Sequence, residues 1–95
     1  MKEETKKYIN YKKDWIKTQI KNNMDRLNVQ DQLIFLNQKL DELFDLGVLE
    51  ENATICETIM NYREEQKKIE QDLDKLQQKL IKNASEIVES ILKDL

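Results

Sequence analysis

Apolar residues recur at alternating steps of four and three through the second half of the chain. The series runs Ile55, Ile59, Tyr62, Gln66, Ile69, Leu73, Leu76, Leu80, Asn83 and Ile87. Such a series is a heptad seam, apolar at every position except Gln66 and Asn83. Past Leu80 the apolar set moves to Ala84, Ile87, Val88, Ile91 and Leu95, a drift of phase resembling a stutter. The residues between are mostly Glu, Lys, Gln and Asp, as on a solvated helix face. The pattern predicts one long helical arm over 52–94.

The first half carries the same periodicity in two pieces. Leu33, Leu36, Leu40 and Leu43 form one stripe, widened by Ile34, Phe35 and Phe44. Ile9, Ile16, Ile20, Met24 and Leu27 form another, and the phase slips between Leu27 and Leu33. Asn28 followed by Asp31 offers a cap for a fresh helix there, but no Gly or Pro forces a break. The reading adopted is a near-continuous arm over 4–45. Gly47 at the midpoint suggests a left-handed helix stop, with a turn over 46–51 and Asn52, or Thr54 with Glu57, starting the return helix. The two stripes match in antiparallel register, Leu43 opposite Ile55, Leu40 opposite Ile59 and Leu36 opposite Tyr62. The fold expected is all-α: a long antiparallel, coiled-coil-like hairpin with arms of about 63 Å, or a three-helix bundle if the chain breaks near Asn28.

Composition sharpens this. A chain of 95 residues is a single domain, and with 39% apolar and 37% charged residues its average position faces water. The absence of proline and the single glycine argue against a turn-rich β fold. A two-helix seam would leave Ile34, Phe35, Phe44, Met60, Ile81 and Val88 uncovered, so assembly into a multi-helix homo-oligomer or docking on a partner is expected. Cys56 is the only cysteine, which suits a reducing compartment. No run approaches the roughly 18 apolar residues of a membrane span. The expected setting is the cytoplasm, and the abundance of Lys, Asn and Ile, whose codons are AT-rich, suits a phage or other mobile element.

Chemistry is sparse. Without histidine the chain lacks the commonest general base and the usual zinc ligand, and one glycine cannot build a phosphate loop. Asp41, Glu42, Asp45, Glu50 and Glu51 cluster near the turn. The calcium-loop spacing fails there, with Leu43 at a ligand position and Leu46 where glycine is required. No catalytic residue, cofactor or metal is expected, and the chain is not expected to be an enzyme.

Lysines and aromatics interleave over 6–17, where Tyr8, Tyr11 and Trp15 share one helical face. Packing of that face against Ile81, Ala84, Ile87 and Val88 is the expected arrangement; stacking on unpaired bases, with lysines on phosphates, is the alternative. Charge is unevenly spread. Residues 1–27 hold eight basic and four acidic side chains, a balance of +4, and residues 28–60 hold one lysine and seven acids, a balance of −6. An antiparallel dimer would set the basic end of one copy beside the acidic tip of the other. Lys12, Lys13, Trp15, Phe35, Asp41, Phe44, Asp45 and Glu50 are the candidate partner-binding residues. Leu36, Leu40, Ile59, Tyr62, Gln66, Ile69, Leu73, Leu76 and Leu80 form the candidate oligomer seam. Gln66 and Asn83, as polar seam positions, would fix register.

Asn37-Gln38-Lys39-Leu40-Asp41 resembles the Ser-Gln-Glu-Leu-Asp signature of small helical phosphatases that act on response regulators in sporulation phosphorelays. Gln38, Leu40 and Asp41 match, while Asn37 replaces the serine and Lys39 the first acid. The resemblance implies a phosphorelay regulator dependent on Gln38 or Asp41. Size and midpoint glycine are similar to those of leaderless secreted hairpins with Trp-x-Gly in the turn, but this turn reads Phe44-Asp45-Leu46-Gly47. The function expected from pattern and charge is a small helical interaction module, an adaptor or inhibitor that binds a protein partner and self-associates.

Overall fold

The computed structural model describes residues 2–68 and 74–93, and every regular element among them is helical. Helix α1 spans Glu3–Asn23 and is followed by one 3₁₀ turn at Met24–Arg26; α2 spans Val29–Leu49, α3 Ala53–Lys68 and α4 Asp74–Leu92. They pack as a bundle of 45 × 27 × 16 Å, too short for arms of about 63 Å.

The arm expected over 4–45 is broken, and the apolar phase slip is the reason. A straight helix could not hold both stripes against one core. Leu27 is extended, and the freed backbone groups find side-chain partners. Asn28 Oδ1 accepts from the Asp31 N–H at 2.8 Å, capping α2. Gln32 Nε2 donates to the carbonyls of Met24 and Leu27, each at 3.0 Å, which satisfies the end of the preceding turn.

Gly47 does not stop α2. It lies buried inside the helix and does not take positive φ; Glu51 does, at φ 57°. The helix ends in a Schellman motif, with the Asn52 N–H donating to the Gly47 carbonyl (2.8 Å) and the Glu51 N–H to that of Val48 (3.0 Å). The glycine is there for close approach. A Cβ on it would meet Ile55 Cγ2 at 3.0 Å and Cys56 Sγ at 3.1 Å, so only a bare backbone lets α3 come this near. Asn52 caps α3 by accepting from the Ile55 N–H at 3.2 Å, and Arg63 reaches the Asn37 carbonyl and pairs with Asp41 across α2 and α3.

The single arm expected over 52–94 is also overturned. The Tyr62 hydroxyl donates to the Leu80 carbonyl at 3.1 Å, whereas one helix would hold those residues about 27 Å apart. Asn52 and Thr54 at the start of α3 line the same groove as Ser90 and Ile91 near the end of α4, so α4 runs back along α3. The heptad spacing persists because both helices keep an apolar stripe on the same core, and spacing alone does not distinguish one helix from two. The expectations at Ile69 and Leu73 lie outside the described residues.

The most extensive interface joins α2 and α4. Ile16, Leu36, Leu40, Leu43 and Ile59 are fully buried, and α4 adds Leu80, Ala84, Val88, Ile91 and Leu92. Of the candidate seam, Leu36, Leu40, Ile59, Tyr62 and Leu80 are therefore covered within one chain, while Gln66 and Leu76 are half-buried. Val88, expected to be uncovered, is inside because α4 turns its stripe inward.

Candidate partner-binding surface

The helical period assigns three faces to α1. Ile9, Ile16 and Ile20 turn toward the core. One flank meets α2, and the other, with Lys17 and Lys21, meets α4. Tyr8, Tyr11 and Trp15 rise along the α2 flank and beyond it. Tyr8 is 51% and Tyr11 66% exposed, and Trp15 is only partly covered. The expected packing of these rings on Ile81, Ala84, Ile87 and Val88 is thus overturned. Ile9 and Ile16, each next to one of these rings in the chain, occupy the inward positions and consume that contact.

Trp15 has charged neighbours. Lys12 Nζ lies 4.6 Å from its ring centroid. Lys39 Nζ, from α2, lies 5.2 Å from Trp15 and 5.1 Å from Phe35, close enough for cation–π attraction to both rings. The Lys39 side chain is buried, and its ammonium is satisfied by Gln19 Oε1 and by Glu42 at 3.1 Å. A buried cation needs such partners. Here they are supplied from both helices, which fixes the angle of Trp15 and leaves its outer edge free.

A second buried contact pins α1 at the other end of α2. Lys13 Nζ lies 2.6 Å from Glu50 Oε1, with both side chains largely withdrawn from water. That oxygen is enclosed and receives no well-aligned hydrogen bond, so the attraction is mainly ionic. Lys13 and Glu50 thus hold helices together and are not free to meet a partner.

The candidate residues therefore divide. Lys12, Trp15 and Phe35 converge on one patch, with Tyr8 and Tyr11 extending it along α1. Asp41 pairs with Arg63, and Phe44 is half-buried with its carbonyl facing Cys56 Sγ at 3.8 Å. Asp45 is exposed on the outer face of α2. Sequence reasoning did not single out Lys39 as part of this site. Its signal was present: a lone lysine at an inward position of a leucine-rich helix.

In the phosphatase-like segment, Gln38 is exposed and Lys39 buried, while Asp41 is engaged by Arg63. Tyr62 has its pKa pushed up to about 12 by burial, with Glu65 adding to the shift. It donates its proton to a backbone carbonyl, a structural role. Among the described residues no group of three or more Cys, Asp or Glu side chains could hold a metal ion, and no helix is long and apolar enough to cross a membrane. Compared with known protein families, curated proteins and solved structures, the chain matches none significantly.

Proposed function

We propose that this protein is a small helical interaction module that binds a protein partner through the Tyr8–Tyr11–Trp15 face of α1 and also self-associates. The observation that carries the reading is the exposure of three aromatic rings on one rigid helix, with Lys12 beside them. Tyrosine and tryptophan bring large contact area at low entropic cost and dominate binding hot spots. Lys39 behind Trp15 preorganises the patch, so little ordering is required on binding. The exposed lysines of α1 favour an acidic partner surface.

The same exposure favours a second reading, in which Tyr8 and Tyr11 stack on unpaired bases beside Lys6, Lys7 and Lys12. One experiment separates the two. A photo-crosslinker at Thr18, exposed one turn beyond Trp15, and at Tyr8 is compared in wild type and in Tyr11→Ser, in cells that make the protein. Capture of one discrete protein, lost in Tyr11→Ser, is the expected result. Crosslinks to nucleic acid, with retention on single strands that falls with salt and with Lys12→Ala, replace the first reading by the second.

A further inference from the structure

The flank of α1 away from the aromatic patch forms a groove of about 560 Å³ against α4. Val88 and Leu92, nearly closed off by their neighbours, lie at its base, half-buried Ile20 is its accessible apolar residue, and Lys17, Lys21 and Lys93 stand at its rim, opposed by the single acid Glu89. None of these lysines makes an ion pair among the described residues. An apolar trough with a positive rim calls for an apolar ligand carrying negative charge.

The chain carries such a surface. At the α2–α3 turn Val48 is 58% exposed, with Leu49 exposed beside it. Asp45 and Glu51 flank them in solvent. No lysine or arginine occurs from Leu40 to Tyr62; Glu50 is paired with Lys13, and the exposed charges Asp45 and Glu51 are both acidic. Both features lie at one end of the bundle, because the start of α3 and the end of α4 share the α3–α4 groove. A two-fold axis through that end brings the tip of each copy to the groove of the other, closing two identical contacts at once.

We propose that the α1–α4 groove is the docking site for the acidic α2–α3 tip of a second copy. Val48 and Leu49 enter over Ile20, Val88 and Leu92, and Asp45 and Glu51 face Lys17, Lys21 and Lys93. This rests on the self-association in the proposed function and gives it a site. The aromatic patch lies on the other flank of α1, so a dimer leaves it open to a partner.

The test is mass by light scattering after size exclusion, on full-length chains whose helicity is first checked by circular dichroism. Wild type is expected to dimerise, and high salt to weaken the dimer. A groove variant, Lys17→Glu with Lys21→Glu, and a tip variant, Asp45→Lys with Glu51→Lys, each lose at least about tenfold in dimer affinity. All four positions are exposed, so folding is not at stake. Mixing the two variants restores a heterodimer, because both of its contacts are again oppositely charged. A wild-type monomer at every concentration overturns both the proposal and the self-association. A dimer indifferent to both reversals, or a mixture that fails to reassociate, overturns this interface alone. A monomer whose Lys17 and Leu92 resonances shift on adding decanoate overturns it in favour of an anionic amphiphile.

Discussion

The junction of α1 with α2 and that of α3 with α4 both hold polar side chains but are closed by different chemistry. Between α1 and α2, two lysines are taken out of water and held by named partners: Lys13 by Glu50, and Lys39 by Gln19, Glu42 and two aromatic faces. Between α3 and α4 the polar groups stay at the rim of an open groove of about 670 Å³. Among the described residues the cross-links there are one tyrosine hydroxyl on a carbonyl and a long Asn83–Glu65 contact of 3.3 Å. A buried charge is costly to orphan, whereas a rim amide can exchange its partner for water. The first junction should therefore be rigid and intolerant of substitution, and the second soft and tolerant.

The largest effect is expected at the rigid junction. Lys39→Ala leaves Glu42 and Gln19 without their donor and releases Trp15, and should cost about 2–4 kcal/mol in urea unfolding. It should also broaden the Trp15 fluorescence spectrum. A loss below about 1 kcal/mol would show that the two junctions do not differ in kind. Close behind comes Gly47→Leu, which forces side-chain atoms into Ile55 and Cys56 and should cost about 1–3 kcal/mol.

At the soft junction Tyr62→Phe removes one buried hydrogen bond and should cost about 1 kcal/mol. Its pH signature is more specific. Because the folded pKa is raised to about 12, the contribution is complete below the ordinary tyrosine value near 10 and is lost as pH rises from there through about 12. An ultraviolet titration should show a late tyrosinate step that Tyr62→Phe abolishes. Gln66→Leu, at a half-buried seam position, should raise thermal stability slightly if that residue lies against the core; a less stable variant would place its side chain at the rim with the other amides. Smallest is Glu51→Gly, which relieves the positive φ at the end of α2 and should stabilise by about 0.5–1 kcal/mol, read as a small rise in Tm.

The helical class, most core positions and the caps at Asn28 and Asn52 were legible in the sequence. They depend on spacing and on the preferences of residues within one or two turns of each other. Leu36, Leu40, Ile59 and Leu80 are inside because each belongs to an apolar stripe that any helical packing would bury. The phase slip before Leu33 is also visible in the sequence, but neither Gly nor Pro marks it, so the break at Leu27 is legible only in the packing.

What the tertiary structure alone decided is which surfaces remain. A heptad series reads the same in one helix or in two that fold back on a shared core, and Tyr62 meeting Leu80 settles it for α3 and α4. Gly47 looks like a stop in one dimension; only the approach of Ile55 and Cys56 reveals it as a contact surface. Tyr8 and Tyr11 have the spacing of core residues, yet the inward face of α1 was already taken by Ile9 and Ile16. Local sequence determines what a segment prefers to form and which stripe it prefers to hide. Which of two competing stripes gains the interior depends on the neighbours that long-range packing supplies.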